Sequence, residues 1–172
     1  MSSKNINLLV EKAKNGDKEA FGELYEAYSR EMYSFAFWYL GDKFHAEDAV
    51  SDAFVSAFVS VWNVKKPEKF KSWLFTILLR SCKKQLGGII RMRNTSEIEE
   101  MTENAEKTYL EERAELKAAL MSLGEREREI FLLSSLGNLT SKEIGEVFSM
   151  PAGTVRSKIS RTSDKLYDIL KD

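Results

Sequence analysis

The chain has little of the chemistry that enzymes and metal proteins use. Its 172 residues include one cysteine, Cys82, and one histidine, His45. A single cysteine excludes an internal disulfide, and no spacing of Cys and His fits a zinc site. Because there is no glycine-rich phosphate loop either, no catalytic constellation is visible. We therefore expect no enzyme activity, no bound metal and no cofactor.

Long hydrophobic runs are also missing. The N-terminal segment MSSKNINLLVEKAKNGDKEAF has no uninterrupted apolar stretch long enough for a signal peptide. The most apolar run, MYSFAFWYL, is too short to cross a bilayer. Neither an alternating strand pattern nor an internal repeat occurs. These absences predict an all-helical, cytoplasmic protein without membrane insertion.

Net charge is small as well, at -1, but the charges are segregated along the chain. Residues 65–93 carry nine cations against the single acid Glu68, whereas residues 97–115 carry eight acids against two cations. Charge sorted into blocks indicates several different electrostatic partners, which the average value hides.

Helical periodicity divides the first half into three helices. Asp17 fits the N-cap of the first helix, and Gly41 ends it. A second helix begins near Lys43, Pro67 breaks the pattern, and a third helix follows until the glycine pair at 87–88 stops it. The residues expected on the buried stripes are Phe21, Leu24, Tyr25, Tyr28, Met32, Phe35, Ala36 and Tyr39, then Val50, Ala53, Phe54, Ala57, Phe58 and Val61, then Phe70, Trp73, Leu74, Ile77 and Leu78.

A polar segment follows, in which no apolar stripe is sustained. It is rich in Thr, Ser, Asn and Glu, which predicts a flexible linker over residues 91–108. The predicted fold class is therefore all-α, with two small helical domains joined by this linker. The first domain spans residues 1–90 and the second spans residues 109–172.

The second domain contains TSKEIGEVFSMPAGTVRSKISR, residues 140–161, which predicts a helix-turn-helix. Thr140 and Glu143 have the spacing of a capping box at a helix start. Gly145 removes side-chain bulk where a second helix could cross closely, and Pro151 suits the first position of that helix. The inward stripes are Ile144, Val147 and Phe148 on the first helix, and Val155, Ile159, Thr162, Leu166 and Ile169 on the second.

The opposite face of the second helix carries side chains suited to DNA recognition. Arginine forks can bind guanine edges or phosphates, and small hydroxyls fit where two backbones approach closely. The expected recognition residues are Thr154, Arg156, Ser157, Ser160 and Arg161. The alternative is an ordinary helical hairpin with a solvated basic face.

The second domain resembles region 4 of bacterial sigma factors, in the extracytoplasmic-function (ECF) group. That group has a leucine before R-E-x-x-F/L-L, then E-I-A, then G-T-V-x-S-R/K-x-x-R. The matching residues are Leu123, Arg128, Glu129, Phe131 and Leu132, then Glu143, Ile144 and Gly145, then Gly153, Thr154, Val155, Arg156, Ser157, Lys158 and Arg161. The resemblance implies binding of the promoter's minus-thirty-five element. Ser163 stands where the family usually has a second arginine, so a phosphate contact would be missing.

The first domain resembles sigma region 2, which follows the pattern A-E-D-x-x-Q-x-x-F-x-x-x-x-x-W and then F-x-x-W-L-x-x-I-A-R-N. The chain has HAEDAVSDAFVSAFVSVW and KFKSWLFTILLR at these places. The resemblance implies that Glu47, Asp48 and Asp52 face the beta-prime subunit of RNA polymerase. Asp48 and Asp52 lie one helical turn apart and can present paired carboxylates to a basic partner. Alternatively, Glu47 and Asp48 only complement the helix dipole.

In the family, the third helix reads and opens the minus-ten element, and here the match is weaker. Arg80 replaces a common asparagine, and Lys84 and Gly87 stand where an aspartate and an arginine are usual. Phosphate attraction needs only positive charge, whereas base reading depends on side-chain geometry. The residues expected near the minus-ten element are Trp62, Lys69, Arg80, Lys83 and Lys84.

The function expected from the resemblance is that of an ECF sigma factor, a dissociable subunit that directs RNA polymerase to promoters. Its partners would be the beta-prime and beta subunits of core polymerase, promoter DNA and an anti-sigma factor. One alternative is a free-standing helix-turn-helix regulator, although such a protein has no need of the acidic helix. The other alternative is a sigma-like interaction module whose first domain has drifted.

Overall fold

The chain is folded as a set of packed helices. The structure is a computed structural model that describes residues 1–95 and 107–172. No strand occurs within these two ranges, and the prediction of an all-α fold is confirmed. The helices are α1 (Ser3–Lys14), α2 (Lys18–Leu40), α3 (Lys43–Ser60), α4 (Phe70–Thr95), α5 (Lys107–Met121), α6 (Glu125–Ser135), α7 (Ser141–Phe148) and α8 (Ala152–Lys171).

The boundaries of α2 follow from its cap residues. The backbone amide of Ala20 donates to Asp17 Oδ1 at 3.0 Å, as expected of an N-cap aspartate. Gly41 adopts a left-handed φ of 71° at the other end, a conformation that glycine reaches without a Cβ clash. Both predicted boundaries are confirmed. Asp42 then caps α3, since its Oδ1 accepts from the His45 amide at 2.9 Å.

Helix α1 was not predicted from the sequence. Its buried side chains are only Leu9, Val10 and Ala13, and Ser2 makes no side-chain bond at the N-cap. So short a stripe gives little periodic signal. The helix packs against α2 and against two short 3₁₀ turns, Val61–Asn63 and Pro67–Lys69. Tertiary packing therefore stabilises a helix that would be marginal in isolation.

The predicted end of the third helix is wrong. Helix α4 continues through Gly87 and Gly88 to Thr95, so the expected start of the linker lies inside a helix. Each helical glycine costs about 1 kcal/mol relative to alanine, which weakens a helix without ending it. The flanking Leu86 and Ile89 pack against the core and offset that cost. Residues 96–106 of the expected linker lie outside the described residues, and the division into domains stays a prediction.

Most residues of the predicted stripes are buried, and a few more are half-buried. The exceptions are Tyr25, Phe58 and Ile169, which are more than 40% exposed. The Phe58 ring still contacts the Phe21 ring edge-on, with centroids 5.2 Å apart. Ile169 lies near the C-terminal end of α8, beyond Leu166, the last buried residue of that helix.

The helix-turn-helix is formed by α7 and α8. The Thr140 amide donates to Glu143 Oε2 at 2.8 Å and the Glu143 amide donates to Thr140 Oγ1 at 3.2 Å, which confirms the capping box. Ser149 ends α7 with a φ of 53°. Pro151 is the N-cap of α8 and not its first helical residue, so that prediction was wrong by one position.

The two halves of the described chain pack against each other. Helix α7 contacts α4, and α6 contacts α2. Gly137, in the turn between α6 and α7, comes so close that an added Cβ would lie 3.0 Å from the Phe75 ring. Leu74, Phe75 and Leu78 of α4 therefore belong to a core that also includes side chains from the second half.

Gly145 gives a direct test of the helix-turn-helix packing. A Cβ at this position would overlap the backbone oxygen of Met150 in the turn. We expect Gly145→Ala to lower the free energy of unfolding by roughly 1–3 kcal/mol in urea titrations, the usual cost of overpacking. Gly22→Ala is the control: nothing lies within 4 Å of its Cβ position in α2. It should raise stability by about 0.5–1 kcal/mol. Equal effects of the two substitutions would contradict this packing.

Candidate functional site

The predicted acidic residues lie on the outer face of α3. Glu47, Asp48 and Asp52 are exposed, and Lys43 Nζ lies 4.0 Å from Glu47 Oε1. For Asp48 and Asp52, no ion pair occurs within the described part of the chain. The opposite face of α3 is buried and rich in alanine, which lets the helix pack closely on its neighbours. Both aspartates are therefore available to a partner.

Apolar side chains lie on the same outer face, and sequence reasoning missed them. Phe44, Val55 and Val59 are 65–74% exposed. At about 100° per residue, they fall with Asp48 and Asp52 within an arc of roughly 80°. We call these five residues the α3 outer stripe. Contiguous exposed apolar surface is typical of a binding site. The sequence contains a signal for them, because these three positions of α3 are apolar but do not belong to its predicted buried stripe.

Trp62 lies at the end of this stripe and is 67% exposed. Its indole nitrogen donates to the Val59 carbonyl oxygen at 3.1 Å, which fixes the ring at the end of α3. Trp73, in contrast, is half-buried and tilts against Phe70 with ring centroids 5.7 Å apart. Of the two tryptophans, Trp62 is the one whose ring is open to a ligand.

A cavity of about 530 Å³ lies beside the loop that joins α3 to α4. The loop contributes Asn63 and Lys65, and α4 contributes Trp73 and Arg80. Glu146 of α7 also lines it, so the second half of the chain closes one side. The cavity therefore combines cations, an amide and an aromatic face.

The cations predicted on and before α4 fall into two groups. Arg80 and Lys84 are exposed, with no ion pair in the described ranges. Lys69 Nζ lies 3.0 Å from Glu146 Oε1, and Lys83 Nζ lies 2.9 Å from Glu129 Oε1. The two lysines of the second group are therefore neutralised by acids of the second half of the chain. Sequence reasoning missed the partners because they lie more than 40 residues away.

Glu129 and Arg128 of the region 4 motif lie where the two halves meet. The Glu129 carboxylate is fully buried between Lys83 and Arg126, whose Nε lies 3.4 Å from Oε2. Arg128 is buried, with its guanidinium 5.9 Å from the centre of the Tyr39 ring. Burial, together with the negative charge of Glu129, raises the pKa of Tyr39. These charged residues therefore serve packing inside this structure.

The single cysteine and the single histidine both lie in the first half of the chain. Burial raises the pKa of the Cys82 thiol to about 12, so the thiol stays protonated at neutral pH. His45 Nδ1 lies 3.1 Å from Gln85 Oε1. In the ranges that the structure describes, no group of three or more His, Cys, Asp and Glu side chains converges to hold a metal ion. Among the described helices, none combines the length and apolar character needed to span a bilayer.

The predicted recognition residues share the outer face of α8. Val155, Thr162 and Leu166 are buried on the inner face, as the periodicity predicts. Arg161 Nε donates to the Ser157 carbonyl oxygen at 3.3 Å within the helix. All five predicted residues are exposed: Thr154, Arg156, Ser157, Ser160 and Arg161.

Comparison with known proteins agrees with this arrangement. The family model for Sigma-70 region 2 matches residues 24–88, and the model for Sigma-70, region 4 matches residues 113–166. RNA polymerase sigma factor SigV of Bacillus subtilis is 30% identical over 138 residues, which cover 78% of this chain and 81% of SigV. ECF RNA polymerase sigma factor SigW of Bacillus subtilis is 27% identical over 183 residues, or 97% of each chain.

Solved structures show the same fold. CnrH in complex with the cytosolic domain of CnrY superposes with a TM-score of 0.77 at 21% identity, covering 97% of each chain. RpoE in complex with the anti-sigma factor NepR from Bartonella quintana superposes with a TM-score of 0.68 at 24% identity, covering 88% of this chain and 96% of that one.

A region 2 bundle followed by a region 4 helix-turn-helix defines a sigma factor, the class of protein that directs RNA polymerase in transcription initiation. The chain belongs to the sigma-70 family, in its ECF group.

Proposed function

We propose that this sigma factor holds core RNA polymerase with α3 and promoter DNA with α4 and α8. The observation that carries the proposal is the pair of separate exposed faces, one acidic and apolar on α3, the other basic and hydroxyl-rich on α8. It acts as a non-enzymatic, dissociable subunit in the cytoplasm, where polymerase and promoters lie. Its predicted domains are residues 1–90 and 109–172, with residues 91–108 between them.

The polymerase contact is proposed for the α3 outer stripe with Glu47. Asp48 and Asp52 supply negative charge, and Phe44, Val55 and Val59 supply apolar area. Charge complementarity selects and orients a partner, while apolar burial supplies most of the affinity. A basic, partly apolar element of the beta-prime subunit fits this combination, and the beta subunit is the proposed second contact.

The DNA contacts are proposed for two elements. Helix α8 would enter the major groove at the minus-thirty-five element, with Arg156 placed to read a base edge. Residues around α4 would contact the minus-ten element, where cations bind phosphates and the exposed Trp62 offers a ring on which an unpaired base can stack. The proposed set is Trp62, Lys69, Arg80, Lys83 and Lys84.

An anti-sigma factor is a further proposed partner. The solved relatives CnrH and RpoE are each described in complex with another protein, CnrY and the anti-sigma factor NepR. The exposed apolar stripe on α3 is a surface that such a protein can cover.

Run-off transcription with core polymerase on a genomic fragment library tests the proposed function. Charge reversal on α3 tests the polymerase contact. Asp48→Lys with Asp52→Lys should abolish both copurification with core polymerase and run-off transcripts, because like charges then face a basic partner. Helical content by circular dichroism should stay unchanged. The matched control is Glu23→Lys with Glu26→Lys, which reverses two exposed acids on α2. Normal copurification of the Asp48/Asp52 variant would remove α3 from the interface.

The DNA contact proposed for α8 is tested by measuring binding to a promoter recovered from that library. Arg156→Ala should cost about 1–3 kcal/mol of binding and relax the preference at one base pair, if the guanidinium is bidentate to a guanine. Arg161→Ala distinguishes a base contact from a phosphate contact in the same panel of single-base variants. Lys171→Ala, an exposed cation in the last turn of α8, should leave the preference intact. Unchanged affinity in both arginine variants would exclude α8 from the groove.

The exposed cations of α4 are tested by salt dependence. Arg80→Ala with Lys84→Ala should weaken promoter-complex formation and lower the salt slope by roughly 0.7–0.9 for each phosphate that the variant no longer binds. Base preference should hardly change, since phosphate contacts carry no sequence information. Lys4→Ala with Lys12→Ala removes two exposed cations from α1 as a control. Identical slopes for the α4 variant and the wild type would favour the drifted interaction module.

A further inference from the structure

An exposed tyrosine on α8 has no part in the contacts described so far. Tyr167 is 67% exposed, and in the parts of the chain that the structure describes its hydroxyl has no hydrogen-bond partner. We infer that this hydroxyl donates to a promoter phosphate at the border of the minus-thirty-five element and so fixes the register of α8 on the DNA. The inference rests on the proposed function and adds a contact outside the predicted recognition residues.

Tyr167 lies in one row with a predicted base reader. At about 100° per residue, the row occupies an arc of roughly 60° along one edge of the outer face of α8. Its exposed residues are Arg156, Ser160, Ser163 and Tyr167. A DNA strand that follows this edge from the start of α8 therefore reaches Tyr167 last.

The position of Tyr167 along α8 favours phosphate over bases. It follows Arg156 by 11 positions, or roughly 16 Å at about 1.5 Å per residue. A recognition helix places its N-terminal residues against base edges, in a major groove about 12 Å wide. With Arg156 inside the groove, Tyr167 lies beyond the base edges, where the sugar-phosphate backbone borders the groove.

The neighbouring turn leaves room for the tyrosine side chain. Side chains of a helix lean toward its N-terminus and cover the surface of the preceding turn. We therefore expect the Tyr167 ring to extend over Ser163, which is exposed and short. Ser163 stands where similar sigma factors usually have an arginine. The Tyr167 hydroxyl can consequently supply a phosphate donor close to the place where that arginine is missing.

Charges on the rest of this part of α8 direct the DNA strand to the tyrosine side. Asp164 and Asp168 are exposed and lie about 90° farther round the helix than the row. Their carboxylates repel phosphates, and Lys165 Nζ is paired with Glu127 Oε2 at 3.3 Å. A tyrosine hydroxyl is neutral and can donate to a phosphate oxygen. The backbone strand therefore passes more favourably beside Tyr167 than beside the acids.

Removal of the hydroxyl alone tests the contact. Tyr167→Phe, in holoenzyme assembled from the full chain and core polymerase, should lower affinity for the recovered promoter by about 2- to 12-fold, the range for one hydrogen bond. The loss should be the same for every single-base variant of the minus-thirty-five element. The salt slope should stay unchanged, because a neutral donor releases no counterion. Tyr25→Phe, at a tyrosine of α2 that is 45% exposed, is the matched control and should change nothing.

A scan of the DNA backbone locates the phosphate. Methylphosphonate linkages, placed one at a time along the minus-thirty-five element, remove the charge of single phosphates. At one position near the border of the element, the substitution should weaken wild-type binding more than it weakens binding of Tyr167→Phe, because both changes remove the same contact. Additive losses at every position would overturn the inference.

A charged replacement gives an independent readout. Ser163→Arg in the Tyr167→Phe background should restore affinity, since the arginine reaches the phosphate that the phenylalanine no longer binds. It should also raise the salt slope by roughly 0.9, because the new contact is ionic. No gain in affinity and no change in slope would mean that no phosphate passes this part of α8, and would overturn the inference.

The outcomes separate this inference from the proposed function. Unchanged promoter affinity in Tyr167→Phe, beside a loss in Arg156→Ala, would overturn the inference and leave the function intact. Lost run-off transcription with unchanged promoter affinity would assign Tyr167 to a protein partner and would also overturn it. Wild-type holoenzyme that binds no promoter would reject the proposed function itself. Urea unfolding of Tyr167→Phe should match the wild type, because the side chain is mostly exposed.

Discussion

Helix α4 is the element on which the rest of the described structure depends. Its fully buried residues Phe70, Leu74, Phe75 and Leu78 belong to the common core, and α4 contacts α2, α3 and α7. One face of α4 packs against α2 and α3. Phe75 on this helix also contacts the turn that precedes α7. The charged positions of the same helix stay at the surface. Helix α4 therefore carries both core side chains and surface charges. Its contacts determine where the second half lies on the surface of the first.

Charged side chains are buried in the second half of the chain but exposed on α3 in the first half. Glu129 and Arg128 are buried in the second half, whereas the acids of α3 are exposed. A buried carboxylate needs a cation close by, because desolvation otherwise favours its neutral form. Lys83 meets that need from the other half of the chain. The net contribution of such a pair to stability is small, since replacing buried pairs with well-packed apolar residues is often neutral.

The sequence predicts local features of this fold well and long-range ones poorly. The caps at Asp17 and Thr140 follow from short-range hydrogen bonding, and both are present. The end of α4 could not be predicted, because packing of flanking residues offsets the cost of Gly87 and Gly88. In the candidate site, the exposed position of Asp48 and of the α8 arginines follows from helical periodicity. The acidic partners of the α4 lysines could not be predicted in this way, because local residue spacing contains no information about contacts between distant segments.

The outer face of α8 has a consequence for how such a protein can diverge. Its exposed residues, among them Arg156 and Ser160, contribute little to the core, whereas Val155 and Leu166 on the inner face contribute much. Substitutions on the outer face are therefore nearly neutral for folding, where surface changes usually stay within about 0.5 kcal/mol. Duplicated copies of the gene can acquire new promoter preferences one base at a time, while their scaffold and their hold on a shared polymerase remain unchanged.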